Sequence, residues 1–326
     1  MRHERIDIWN EGEYACSAAF GFRPNLRTYL HENGEFRPCV LVIPGGGYRM
    51  ASPTEGEIVA RCFYEKGYQA FVGTYTTNFL GAETLKMQPL RDISRMVRLI
   101  RSRAEEFRIR SGQIVLCGFS AGAHLCGSLC VHWKDVADEL YPDQPGRPDG
   151  AILSYPVITS GEFAHRDSFV ALLGADATEE ELAYMSLEKQ VSADTPPIFL
   201  WQTASDELVP VENSFLMAMA LKKQGIPFEY HVFPKGIHGL SLANEDWAAG
   251  RFGEPYPLEQ LQGIAKAAEA GQVTVPAEAM GFMNYLLHPE TAAQFFPPNH
   301  PVKEVSVWPD LADTWIRENC LAEKKD

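Results

Sequence analysis

The stretch that most constrains this chain is residues 114–125, "IVLCGFSAGAHL", where one apolar run ends on Gly-x-Ser-x-Gly and a second apolar run with a different period begins. The first run fits a short buried strand and the second an apolar helix. A strand that turns into a helix at a single serine holds that serine in a strained conformation at the carboxyl edge of a sheet. Glycines on either side, lacking Cβ, let strand and helix approach each other. The spacing therefore predicts an exposed Ser120 hydroxyl, with Gly118 and Gly122 at the close-approach positions. The amide of Ala121 opens the helix and points into the same space, where the helix dipole favours negative charge. A bare Gly-x-Ser-x-Gly also arises by chance; the strand before it and the helix after it give it weight.

The rest of the chain repeats that alternation. "PCVLVI", "QAFVGTY", "QIVLC", "GAILSYPV", "PIFLWQ" and "FEYHVF" read as strands, and residues 54–66, 89–107, 121–133 and 211–224 as helices, with short helices across 167–184. This order predicts an α/β fold, a mostly parallel twisted sheet with helices on both faces, as one domain over residues 1–326. Residues 244–304 break the rhythm with "RFGEPYPLEQ", an Ala-rich helical piece near Ala265 and the Pro-rich "FFPPNHP", before a last amphipathic helix "WPDLADTWIRENC". The segment is far longer than the roughly 4–6 residues of an ordinary loop. It reads as an insertion, either a lid over the site or a surface decoration and oligomer contact.

Composition narrows the partners. A chain of 326 residues with 45% hydrophobic content buries a large core without staples. A net charge of -14 disfavours nucleic acid and acidic membrane surfaces. The densest basic stretch, residues 91–110, spaces its arginines at helical intervals and reads as the solvated face of an amphipathic helix. Seven cysteines without a Cys-x-x-Cys read as reduced core residues, not as a zinc site or a disulfide framework. The charged start "MRHERIDIWNEGEY" and the lack of any run of roughly 20 apolar residues lead us to expect a cytoplasmic protein.

A second glycine cluster, "VIPGGGYRM", follows the strand around Val42. Three glycines serve a flexible turn or a phosphate cradle, but the Gly-x-Gly-x-x-Gly spacing and a following Gly-Lys-Ser/Thr are both missing. Beside a serine nucleophile this loop supplies a second backbone donor, so Gly46 and Gly47 are assigned to an oxyanion hole with Ala121. Ser120 needs a base, and the base a carboxylate to hold its tautomer, in the chain order Ser, Asp or Glu, His. Asp206 in "WQTASDELVPVENS" and His238 in "FPKGIHGL" each follow a strand and satisfy that order. His124 lies in the helix after Ser120 and His231 inside a strand; His132, His165, His288 and His300 are not in a strand-end loop of the required order. Glu207 follows Asp206 in the same loop, and Glu212 opens a helix, where capping explains it.

With those residues placed, "PGGGY", "GFSAGAHL", "SYPVI", "TASDELVPVENS" and "KGIHGLSLA" together resemble the α/β-hydrolase superfamily, and more narrowly its acetyl esterase and deacetylase branch, the relatives of microbial acetylxylan esterases. The resemblance covers roughly residues 25–243, with "WPDLADTWI" similar to the closing helix. It implies Ser120 as nucleophile, His238 as general base, Asp206 as orienting acid, and Tyr48 either lining the acyl pocket or packing as a core aromatic. Pro44 stands where many esterases carry histidine, so the bracing of the glycine loop differs, and the insertion after His238 departs from the simplest members. The implied activity is a carboxylesterase removing short acyl groups, acetyl foremost, from a carbohydrate or related alcohol, with neither metal nor organic cofactor. Other readings are an arylformamidase-like amidase, a prolyl oligopeptidase-type peptidase, disfavoured because no propeller-length region precedes the catalytic part, and a non-catalytic binder. Homo-oligomerisation is left open.

Overall fold

The computed structural model describes residues 1–81, 83–288 and 300–321; residues 295–299 of the Pro-rich tract lie outside them. Eight strands form one sheet: β1 (Arg5–Asp7), β2 (Asn25–Tyr29), β3 (Arg37–Ile43), β4 (Gln69–Thr74), β5 (Ile109–Phe119), β6 (Gly150–Ser154), β7 (Ile198–Thr203) and β8 (Phe228–Phe233). Their order is β1-β2-β4-β3-β5-β6-β7-β8. Strands β3 to β8 run parallel, whereas β1 and β2 add an antiparallel edge.

The pleat sorts side chains into two cores. Cys39, Leu41 and Ile43 of β3 face one, with Ile114 and Leu116 of β5; Val40 and Val42 face the other, with Val115, Cys117 and Phe119. Helices α2 (Gln88–Ser102), α4 (Ala121–His132) and α7 (Glu212–Gln224) cover the first face. Helices α1 (Glu57–Glu65) and α11 (Trp308–Asn319) cover the second, where Trp201, Trp308 and Trp315 are buried. A side chain of this size contributes about 1.5–3 kcal/mol when fully buried. Central strands buried on both faces explain why they read as continuous apolar runs.

Three expectations need correction or extension. The helix expected over 89–107 stops at Ser102; Arg103 leaves the helical region, α3 (Ala104–Phe107) follows, and Arg108 at φ 54° turns the chain into β5. The arginine stripe is solvated only in part: Arg91, Arg108 and Arg110 are exposed, but Arg95, Arg98 and Arg101 are buried, because the loop after α4 lies over them. Arg95 makes a two-pronged bond to Asp138 at 2.7 and 2.8 Å, Arg98 donates to the Val136 carbonyl, and Arg101 to Asp149. Strands β1 and β2, absent from the sequence reading, carry polar residues that give no alternating pattern.

Within 244–304 the described residues form α8 (Glu245–Ala248), α9 (Glu259–Glu269) and α10 (Ala277–Leu287). Leu258, Leu261, Ile264, Met283 and Leu286 pack with Met50 and Phe79 in a third cluster. Two short helices after β6, α5 (Arg166–Leu173) and α6 (Glu179–Tyr184), complete the carboxyl edge of the sheet. All seven cysteines are thiols, none of them in a disulfide. No described helix is long and apolar enough to cross a membrane.

Candidate active site

Ser120 sits between the end of β5 and the first residue of α4 at φ 53°, ψ −119°, a conformation that L-residues rarely adopt. The surroundings hold it there. Its amide donates to the Ser154 carbonyl at 3.0 Å, and its carbonyl accepts from the amide of His124 at 3.0 Å. A Cβ at Gly118 would lie 2.6 Å from the Cα of Ala123, and one at Gly122 would collide with the carbonyl oxygens of Ile43 and Pro44. Each glycine therefore lets one layer press against the next.

Asp206 and His238 reach the same edge from the loops after β7 and β8. The Asp206 side chain is fully enclosed. Its Oδ1 accepts the amides of Leu208 and Val209 at 3.0 and 2.9 Å, and Oδ2 faces Nδ1 of His238 at 2.7 Å. A carboxylate in that place only accepts, so Nδ1 carries the hydrogen and the Nε2 lone pair faces the Ser120 hydroxyl, 2.8 Å away. The histidine loop is tied back to the aspartate loop: the hydroxyls of Thr203 and Ser205 both donate to the Gly236 carbonyl at 3.0 Å. The ring of Tyr155 meets the imidazole edge-on, 4.9 Å between centroids.

The glycine loop after β3 passes directly beside the serine. A Cβ at Gly45 would stand 2.6 Å from the Phe119 carbonyl and 2.9 Å from the Ser120 Cβ. Gly46 and Gly47 follow at φ 120° and 65°, left-handed backbone that glycine adopts freely. Both line a cavity with Ser120 and His238. The amide of Gly45 is already engaged by Oε2 of Glu55 at 2.8 Å. With Pro44 in place of a bracing histidine, the loop is held by that bond and by the Tyr75 hydroxyl, which donates to the Pro44 carbonyl at 2.9 Å.

The cavity measures about 730 Å³. Its lining includes the apolar Phe79, Trp247, Phe252 and Phe282 and the polar Arg49, His165 and Asp167. Tyr48 does not line it. The phenol is buried under the glycine loop and pairs with Nδ1 of His124 at 2.7 Å. Because Nε2 of His124 lies 2.9 Å from the Met185 carbonyl and must donate there, Nδ1 accepts from the Tyr48 hydroxyl. Burial lowers the His124 pKa to about 4. The residue belongs to the core and not to substrate.

Among the polar residues of this cavity that sequence reasoning missed are His165 and Glu55. His165, set aside on chain order, lies in its wall with Nδ1 2.8 Å from the Ser168 hydroxyl, and burial lowers its pKa. Glu55 lies beneath the glycine loop, and burial pushes its carboxyl above the usual range. A glutamate near a helix start ordinarily faces solvent and complements the dipole, so one sequence gives no signal of its inward direction. Among the described residues no group of three or more His, Cys, Asp or Glu side chains is placed to hold a metal ion.

Comparisons with known proteins bear on the family. Residues 26–140 match the BD-FAE family model, and residues 152–250 match that of the prolyl oligopeptidase family. The chain is 54% identical over 262 residues to endo-1,4-beta-xylanase B of Butyrivibrio fibrisolvens, covering 80% of this chain and 41% of that protein. It is 30% identical over 226 residues to an acetylxylan esterase of Xylanibacter ruminicola, covering 68% and 44%. The chain thus spans less than half the length of these curated relatives. Among solved structures it is similar to an acetyl ester-xyloside bifunctional hydrolase from Caldicellulosiruptor lactoaceticus, with TM-score 0.70, 36% identity, and coverage of 84% of this chain and 98% of that one.

Proposed function

This chain belongs to the acetyl esterase family of the α/β-hydrolase superfamily, and from that premise we propose that it is a serine carboxylesterase that removes acetyl or similarly short acyl groups from a carbohydrate. The observation that carries the reading is the unbroken line from Asp206 through His238 to Ser120, at 2.7 and 2.8 Å, opening into the cavity. In the proposed reaction His238 takes the Ser120 proton as Oγ attacks the ester carbonyl. The amides of Gly46, Gly47 and Ala121 hold the oxyanion, and His238 returns its proton to the departing sugar hydroxyl. Water, activated by the same imidazole, then cleaves the acyl-enzyme and frees acetate. Asp206 fixes the tautomer and stabilises the imidazolium.

An acetyl group fills a small part of a cavity of about 730 Å³, which leaves room for a sugar against the aromatic wall. The same reading takes the described residues of the 244–304 insertion as contributing to that wall. Phe282 of α10 and Trp247 of α8 both line the cavity, which supports a lid over an oligomer contact.

The test is acetate release from acetylated xylo-oligosaccharides. We expect the intact protein to release acetate and Ser120→Ala to lose at least about 10³-fold in kcat/KM while keeping its fold. Normal turnover by that variant overturns the assignment. Release of reducing sugar without acetate would point instead to the glycosidase chemistry named for the Butyrivibrio relative, and faster turnover of N-formylkynurenine to an amidase.

A further inference from the structure

Three loops from separate strand ends must be placed against one another for the proposed chemistry: the glycine loop, the His238 loop, and the turn after β6 that carries Tyr155. A single side chain connects them. Glu55 stands in a short 3-10 turn (Pro53–Glu55) and is 3% exposed. Its Oε2 accepts the Gly45 amide at 2.8 Å, and its Oε1 accepts the Tyr155 hydroxyl at 2.7 Å. That hydroxyl accepts in turn the amide of Ser241, three residues past His238, at 3.0 Å. The Ser241 hydroxyl closes the circuit by donating to the carbonyl of Thr54 at 2.7 Å, next to Glu55 itself. Tyr155 and Ser241 both have left-handed backbone, φ 37° and 49°, which non-glycine residues keep only when their surroundings hold them.

We propose that Glu55 is a positioning residue that sets the oxyanion amides and the His238 imidazole in register with each other, acting through Gly45 on one side and Tyr155 on the other. The inference rests on the serine-esterase reading above. A carboxylate suits the task because both oxygens only accept, and two donors converge on it from different loops. Fixing the Gly45 amide fixes the peptides of Gly46 and Gly47 that follow. Fixing the Tyr155 hydroxyl fixes the ring that packs on the imidazole, 4.9 Å away, and through Ser241 the far side of the histidine loop. Each oxygen accepts from a different loop, so the role assigned to Glu55 is positioning and not proton transfer.

Glu55→Gln puts a donor where one acceptor stood, so either the Gly45 amide faces an NH2 group or the Tyr155 hydroxyl must turn away. Misplacing a reacting group by about 1 Å costs on the order of 10²-fold in rate. With 4-nitrophenyl acetate as substrate and active sites counted by fluorophosphonate labelling, we expect kcat per labelled site to fall about 10- to 100-fold while KM moves less than about threefold. Tyr155→Phe keeps the ring and removes the hydroxyl, so it reports on the same network should Glu55→Gln fail to fold. We expect a loss in the same direction, and a double variant no worse than the weaker of its parents. A purely structural role would lower the labelled fraction and leave kcat per labelled site unchanged, which would overturn the proposal. A rise in KM alone, or losses that multiply in the double variant, would overturn it as well. Failure of the underlying reading is separable: it shows as an unlabelled wild type, or as labelling that survives Ser120→Ala.

Discussion

At the residue scale, the small residues of the site are where space is absent and the polar ones are where donors converge. Gly122 shows the first: α4 starts so close to the end of β3 that a methyl group there would meet two carbonyl oxygens. Tyr48 shows the second, and it separates the two roles open to it from sequence. Its hydroxyl is the donor for Nδ1 of His124, and both side chains are buried. Tyr48→Phe therefore leaves a buried acceptor without a partner, at a cost of about 1–3 kcal/mol. Urea unfolding should show that loss, while KM for 4-nitrophenyl acetate stays at the wild-type value. If Tyr48 instead touched the acyl group, KM would move and stability would not. Ser120, Asp206 and His238 were legible because chain order and strand ends fix where such groups must stand. Tyr48, Glu55 and His165 were not, because side-chain direction on a loop depends on neighbours from distant segments.

At the scale of elements, the parallel strands β3 to β7 announce themselves, since burial on both faces demands unbroken apolar runs. The edge escapes for the converse reason. Asn25 and Thr28 of β2 are fully buried although polar, Asn25 donating to Arg23 and Glu259 and Thr28 receiving the amide of Glu4. No period betrays such a strand. The arginines of α2 mislead in the same way: helical spacing shows which residues share a face, not what another segment lays across it. Here the loop after α4 supplies Asp138, and both partners of the Arg95 pair are less than a tenth exposed. Breaking a buried pair from one side strands the other charge, at about 3–5 kcal/mol, whereas replacing both by apolar residues is often neutral. Arg95→Met should thus lower stability by an amount in that range, and Arg95→Met with Asp138→Leu should recover most of it. Equal losses in the single and double variants would mean that the loop is held by other contacts.

Across the whole molecule, two buried titrating groups on the same side of the sheet pull its acid stability in opposite directions. His124 is neutral in the fold, with its pKa lowered by burial from 6.5 to about 4. The stability it contributes is complete above pH 6.5 and is lost as pH falls through about 4. Asp92 is the reverse case. Burial raises it from 3.8 to about 6, against hydrogen bonds from Thr76, Gln88 and Trp9 that pull it down. Its contribution is complete below pH 3.8 and is lost as pH rises through about 6. Each shift of roughly two pKa units corresponds to on the order of 3 kcal/mol, so between pH 6 and 4 the two changes largely cancel. Single substitutions should unmask them. In urea unfolding at pH 6.5 and 4.5, with the denaturant slope checked for constancy, His124→Gln should lose less stability on acidification than the wild type, and Asp92→Asn should lose more. Parallel acid dependence in all three proteins would mean that folding shifts neither group's pKa, and that acid sensitivity arises from the surplus of carboxylates at the surface.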